Sequence, residues 1–334
     1  MALRVTMRDV GKAVGMSTMT VSRALRGDAS VSKATRARVE EAARALGYVY
    51  DSTAQAFRTQ KSGFVAVLLP SVDNANFADT FRALTDGFED LGLQVLLGST
   101  HYSLEREEDL VRQMLMRNPE ALVLTGGAHT DRTRELVRAA GVPVIEMWDL
   151  PTDPLGHVVG FCNAEAMGQV VRHLSARGRR RLAFLGATGD TDARGAVRGQ
   201  GALAAARAMG LPDMDVIDVG PAPVSMRQGQ DAVARLGAAV RSYDGLVCVS
   251  DPVAFGALSA ARRLGLAVPN DIAIAGFGNF EVAQVSDPRI TTVDVNPARI
   301  GQRVVAMLRD VFASTCDDPV RIDVGTALVA GETS

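Results

Sequence analysis

The chain has 334 residues, 47% of them apolar and 22% charged, with a formal net charge of −2, enough sequence for two or three domains with cores of their own. No run of about 20 apolar residues occurs, so no membrane span is expected, and the opening MALRVTMRDV lacks the apolar middle of a secretory signal. Three scattered cysteines (Cys162, Cys248, Cys316) and four histidines (His101, His129, His157, His173) show no metal-ligand spacing, which predicts a cytoplasmic protein holding neither metal nor other cofactor.

The charge is uneven. Residues 1–61 hold 11 Lys and Arg against 5 Asp and Glu, a net of +6. The remainder is therefore acidic, and a basic head on an acidic body points to a polyanion-binding module joined to something else.

The head reads as three short helices. Thr6 and Asp9 form a capping box, and Met7, Val10, Ala13 and Val14 recur at helical spacing as a buried stripe. Gly15 permits a turn, and Ser17 caps a second helix whose Val21, Ala24 and Leu25 share one face. Turning that face inward leaves Met19 and Arg23 outward, flanked by Thr18 and Ser22. A third helix follows Ser32, burying Val39, Ala42, Ala43 and Leu46, and Gly47 stops it. Two helices on a tight glycine turn, braced by a third, make a helix-turn-helix. Ser17, Thr18, Met19, Thr20, Ser22 and Arg23 supply the short and cationic side chains that reach base edges and phosphates in a major groove. A helical hairpin of this kind also serves as a protein-binding module, and helix pattern alone leaves both open.

Residues 48–63, YVYDSTAQAFRTQKSG, link head to body; Ser52 to Gln60 is a helix too short to stand alone in water. Beyond Gly63 the runs FVAVLLP, LQVLLG, ALVLTGG, VPVIEMW, HVVGF, RLAFLGA, DVIDVG, GLVCVS, IAIAGFG and TTVDV alternate with amphipathic helices. Continuous hydrophobicity marks strands covered on both faces, hence parallel sheets. Ten such strands exceed one comfortable sheet, so the fold class is a small all-α head plus an α/β body of two doubly wound lobes.

Ligands in such folds sit outside the carboxyl ends of the strands, here Thr125, Trp148-Asp149, Phe161, Ser250-Asp251 and Gly278-Asn279. Trp148 and Phe161 offer flat walls for a sugar, or are plain core. Asp251 takes a ligand hydroxyl or caps the helix after it. His129, in GGAHTDRT, approaches the pocket mouth or is solvated. The rival classes lack their signatures: no G-x-G-x-x-G follows the first strand, which ends LLPSVDNANF, and no G-x-S-x-G elbow occurs. No enzymatic machinery is expected.

VTMRDVGKAVGMSTMTVSRALRG followed by VSKATRARVEEAARALGY resembles the DNA-binding head of the lactose/galactose-repressor family of bacterial transcription regulators. The likeness extends through the linker, CVSDPVAFGAL, VPNDIAIAGF and ITTVDV. It implies a helix-turn-helix domain over 1–50, a hinge helix over 51–62, and an effector-binding and dimerisation domain over 63–334. That last domain has periplasmic-binding-protein-like lobes, one of about 63–161 with 292–325 and the other of about 162–291.

By resemblance, Ser17, Thr18, Met19, Ser22 and Arg23 enter the major groove while Thr6, Ser32, Thr35 and Tyr48 hold phosphates. Phe57 takes the place of the family's minor-groove leucine wedge, or packs on the body. Tyr50-Asp51 replaces the family's Pro-Asn, which weakens the hinge expectation. The effector set implied is Asn76, Phe77, Thr125, Trp148, Asp149, Phe161, Asn163, Arg198, Asp251 and Asn279, with Glu146 a nearby negative. Arg198 opens R-G-Q-G where the family keeps its ligand arginine; on position alone it reads equally as a surface ion pair.

VLLPS, HTDRT, VPVIEMWD and VGFCNAEA are further similar to the gluconate-utilisation repressor branch. Gly278 replaces an aspartate usual in relatives that take neutral ligands, and a pocket keeping its arginine but losing that carboxylate favours an anion. The expected partners are therefore a palindromic operator in double-stranded DNA, a second copy of the chain, and gluconate or a related sugar acid. The tail RIDVGTALVAGETS has no leucine heptad and so no sign of a tetramerisation coil.

Overall fold

The computed structural model describes residues 5–49, 62–187, 192–315 and 318–334. The chain divides into two compact units, Met1–Ser62 and Gly63–Ser334. The linker residues 50–61, with Phe57, and Cys316 lie outside the described residues.

In the first unit, α1 spans Met7–Val14, α2 Thr18–Leu25 and α3 Lys33–Leu46. Each start is fixed by a short polar side chain. The Thr6 backbone N–H and hydroxyl donate to Asp9 Oδ2 at 3.0 and 2.6 Å, Ser17 Oγ accepts from the Thr20 N–H, and Ser32 Oγ from that of Thr35. Val10, Val14, Val21, Ala24, Val39 and Ala43 form the core.

Two residues expected inside are exposed. Ala13 is one: Val10 and Val14 hold the inner face of α1, and Arg38 of α3 donates to the Val14 carbonyl at 3.1 Å. Leu46 is the other, lying on the last turn, where Tyr48 folds back to cover the core instead, its N–H bonded to the Ala43 carbonyl. Gly11 cannot be replaced freely, since a Cβ there would sit 2.7 Å from the Met16 carbonyl oxygen.

The second unit holds all ten expected strands. A six-stranded parallel sheet has the order β11-β5-β4-β3-β1-β2, with β1 Phe64–Leu69, β2 Gln94–Ser99, β3 Ala121–Thr125, β4 Val144–Met147, β5 His157–Gly160 and β11 Arg321–Asp323. A four-stranded parallel sheet has the order β7-β6-β8-β9, from Asp215–Asp218, Leu182–Gly186, Gly245–Cys248 and Ala273–Ala275. β10, Thr292–Asp294, pairs antiparallel with β12, Ala327–Val329, outside the six-stranded sheet.

Burial explains the continuous apolar runs. Val65 and Val67 face one hydrophobic cluster and Ala66 and Leu68 another, so both faces of β1 are dry. The edge strands β2 and β7 are partly exposed and correspondingly more polar.

The helices of this unit are α4 Ala75–Glu89, α5 Leu104–Leu115, α6 Asp131–Ala140, α7 Asn163–Ala176, α8 Ala193–Ala208, α9 Met226–Leu236, α10 Asp251–Arg263, α11 Glu281–Val285 and α12 Pro297–Phe312. After β10 the chain returns to the first sheet through α12, which packs on α4; Thr80 Oγ1 donates to the Pro297 carbonyl at 2.9 Å. No helix among the described residues is long and apolar enough to cross a membrane.

Candidate functional site

The outward face of α2 is as short and as weakly acidic as its sequence. Thr18, Met19 and Arg23 are exposed, Met19 to 64%, and Thr20 and Ser22 are half-buried. The Arg23 side chain donates no hydrogen bond among the described residues, whereas three neighbouring arginines are spent on the fold. Arg26 Nε donates to the Ser22 carbonyl, Arg36 to the Asp28 carbonyl and Arg38 to that of Val14.

The expected phosphate donors differ among themselves. The Thr6 hydroxyl gives its proton to Asp9, and Ser32 Oγ gives its proton to Thr35 Oγ1 at 2.9 Å. Among the described residues the Thr35 hydroxyl accepts but does not donate, while Thr6 and Ser32 act as caps. Tyr48 is half-buried against the head core.

In the second unit a cavity of about 310 Å³ opens at the carboxyl ends of strands from both sheets. Of the expected effector residues, Asn76, Phe77, Trp148, Asn163 and Arg198 line it. Phe77 and Trp148 meet edge to face, ring centroids 5.0 Å apart. Asn76 Nδ2 donates to the Gly278 carbonyl at 2.8 Å, tying α4 to the loop after β9. Trp148 has φ 72, a left-handed conformation that is strained for a bulky residue and typical of functional sites. Its buried indole N–H, Arg198 Nε and the Ser250 hydroxyl have no hydrogen-bond partner among the described residues. A ligand acceptor would relieve donors whose burial unpaired costs about 1–3 kcal/mol each.

Six expected effector residues lie elsewhere. Thr125 and Asp149 line a second cavity of about 280 Å³ that shares Tyr102, Asp192 and Arg194 with the first. The Thr125 hydroxyl is bonded to the Leu68 carbonyl, and Asp149 Oδ1 accepts from the Leu150 N–H and Asn163 Nδ2. Phe161 is core, packed behind Trp148 and Phe277.

Asp251 is fully buried and clasps two segments, accepting from Thr292 Oγ1 at 2.6 Å and the Phe280 N–H at 2.8 Å. Burial pushes its carboxyl up to about 7 against the pull of those hydrogen bonds. Asn279, with φ 52, is anchored through its N–H to Thr292 Oγ1 and does not line the cavity.

Glu146 is buried without exposure, its Oε2 accepting from the Leu155 N–H at 2.6 Å and its Oε1 3.1 Å from His129 Nε2. His129 is neither solvated nor at the first cavity: its Nδ1 is 2.6 Å from Glu107 Oε1, with no side-chain exposure. Burial lowers the imidazole's proton affinity, but hydrogen bonds and charge from both glutamates overcome this and hold its pKa at about 9.

Gly278 acts on the site through shape. At φ 116, a Cβ there would meet the Phe280 ring at 2.4 Å and Asn76 Nδ2 at 2.8 Å. The Phe280 ring, which lines the cavity, fills the space a side chain at 278 would need.

The sequence reading did not single out Arg194, Asp192 or Tyr102, all on the cavity wall. For Arg194 a signal existed: it precedes Arg198 by one helical turn on α8 and so shares its face. Arg194 lies 5.1 Å from the Phe77 ring centroid, and Arg198 4.5 Å from that of Phe277. Arg198 Nη2 is 3.5 Å from Asp192 Oδ2. Burial lowers the Arg198 pKa, Asp192 raises it and Arg194 lowers it again. The Tyr102 phenol is raised by burial and lowered by Arg194.

A three-helix head with an outward, sparsely charged second helix, continuous in sequence with a two-sheet body that holds a cavity, is the architecture of a DNA-binding regulator. Residues 6–51 match the family model for bacterial regulatory proteins of the lacI family, and residues 171–334 that for a periplasmic binding protein-like domain. The chain is 37% identical over 331 residues to the HTH-type transcriptional regulator GntR of Pseudomonas aeruginosa, covering 99% of this chain and 96% of that one. It is 34% identical to the HTH-type transcriptional regulator GntR of Escherichia coli strain K12, over 98% of both. A LacI family transcriptional regulator from Silicibacter pomeroyi superimposes with a TM-score of 0.91 at 30% identity, over 98% of this chain and 99% of that one. The chain belongs to the lacI family of bacterial regulatory proteins, and it is a DNA-binding transcriptional regulator.

Proposed function

We propose that this regulator is a cytoplasmic, non-enzymatic repressor that binds a palindromic operator as a homodimer and leaves it when a sugar acid of the gluconate class fills the 310 Å³ cavity. The observation that carries the effector reading is the pair of arginines, Arg194 buried and Arg198 half-buried, on a wall that also presents aromatic faces and unpartnered donors. A linear polyhydroxy acid suits that wall: a carboxylate for guanidinium, hydroxyls for Asn163, Ser250 and Trp148 Nε1, and CH edges for the rings. The resemblance to the gluconate-utilisation branch and the similarity to two regulators named GntR support the same class.

On the DNA side, Thr18, Met19, Ser22 and Arg23 meet base edges, and Thr35 and Tyr48 fix register on phosphates. One head of this size makes few phosphate contacts; two heads on a palindrome double the charge-neutralising contribution, which favours a dimer. Effector and operator then oppose each other by linkage, each weakening the other by the same factor.

Calorimetry of the full-length protein tests the effector class. Gluconate is expected to bind and glucose is not. Heat from glucose with none from gluconate would replace the sugar acid by a neutral ligand.

A further inference from the structure

We infer that Arg194, not Arg198, makes the cavity select an anion over a neutral ligand of the same shape. The inference rests on the sugar-acid reading above and deepens it. Both guanidiniums line the cavity from one face of α8, but their surroundings differ. Arg198 holds Asp192 at 3.5 Å, and the more distant Asp149 adds to the countering of its charge. Arg194 is 9% exposed and makes no hydrogen bond or ion pair among the described residues; its one marked contact is the Phe77 ring. Asp73 also lines the cavity but is exposed to solvent, where its charge is screened.

Arg198 is thus a neutralised guanidinium, suited to donating hydrogen bonds to hydroxyls or carboxylate alike. Arg194 offers a buried charge with a ring on one side and, among the described residues, no acid within ion-pair distance, although Asp192 and Asp149 share the neighbouring cavity; in that setting a carboxylate gains most over its neutral counterpart. Phe77 belongs to α4 on the six-stranded side and Arg194 to α8 on the four-stranded side. An anion held at Arg194 is therefore also held where the two halves of the body face each other.

The test is calorimetry of full-length wild type and R194Q, R194K and R198Q with gluconate, its neutral isostere gluconamide, and glucitol. In the wild type gluconate should bind about tenfold or more tighter than gluconamide, a preference worth about 1.4 kcal/mol or more. R194Q should lose that preference while keeping gluconamide affinity within about twofold, a pattern that general destabilisation does not produce. R198Q should weaken both ligands alike. R194K, which keeps the charge and loses the fork, should keep the preference at lower affinity, and this arm stands even if the Gln variant does not fold. R194Q or R194K giving the opposite result, or R198Q alone abolishing the preference, overturns the inference and leaves the sugar-acid reading intact. A wild type that binds glucitol but not gluconate overturns both.

Discussion

At the scale of single residues, the clearest division is between arginines that build the head and the one that α2 turns outward. Arg26, Arg36 and Arg38 are tied to backbone carbonyls, so replacing them threatens the fold, whereas the Arg23 side chain is exposed and makes no hydrogen bond among the described residues. Arg23→Ala is expected to cost about 1–3 kcal/mol of operator affinity and to relax base preference, with thermal stability within about 0.5 kcal/mol of wild type. Competition binding against non-operator duplex checks it; an unchanged ratio of operator to non-operator affinity would remove Arg23 from the groove.

The Glu107–His129–Glu146 cluster makes a second residue-scale prediction, on stability. The folded-state pKa of His129, about 9, lies above its ordinary 6.5. Its stabilising contribution is therefore complete below about pH 6.5 and is lost as pH rises through about 9. Urea midpoints should fall across that window. His129→Ala, which leaves two buried carboxylates without their cation, should cost about 3–5 kcal/mol near neutral pH and flatten the decline. A wild-type midpoint that rises from pH 7 to 9.5 would mean the imidazole is not held protonated.

At the scale of elements, strands were read more reliably than the residues at their ends. Ten apolar runs became β1–β10 because two dry faces require continuous hydrophobicity. The same rule hid β11 and β12, short strands alternating exposed and half-buried residues, which carry no such run. In the head, periodicity located all three helices but not their exact inner faces. Ala13 and Leu46 obey the spacing and still face water, because which turns are covered depends on how helices cross.

Strand ends were harder for a related reason. Asp251 and Thr125 stand where a ligand-binding residue would, yet hydrogen bonds within the fold engage both. No sequence spacing distinguishes a clasp from a ligand contact. Arg194 was legible from its helical offset to Arg198, and its lack of an ion-pair partner among the described residues was not.

The linker makes the element-scale prediction. If Phe57 unstacks a minor-groove step, Phe57→Ala should lower operator affinity about tenfold or more and non-operator affinity little. Filter binding to both duplexes checks this, and equal losses would make Phe57 an ordinary packing residue.

At the scale of the whole molecule, the acidic body and basic head belong to one thermodynamic cycle. On the proposed function, the effector needs no contact with DNA to release it. It must bind more tightly to the arrangement of the body that is incompatible with operator binding, and a tenfold release requires about 1.4 kcal/mol of coupling. The cavity is placed for this, because Asn76 of α4, on its wall, already bonds across to the loop after β9, so a ligand beside it acts on a link between the two sheets. The most direct measurement is operator affinity of the full-length protein, on a duplex selected from random sequence, with and without saturating gluconate at fixed salt. Affinity about tenfold or more lower with gluconate, and unchanged with glucitol, is the predicted result. Equal operator affinity with and without gluconate would contradict the account.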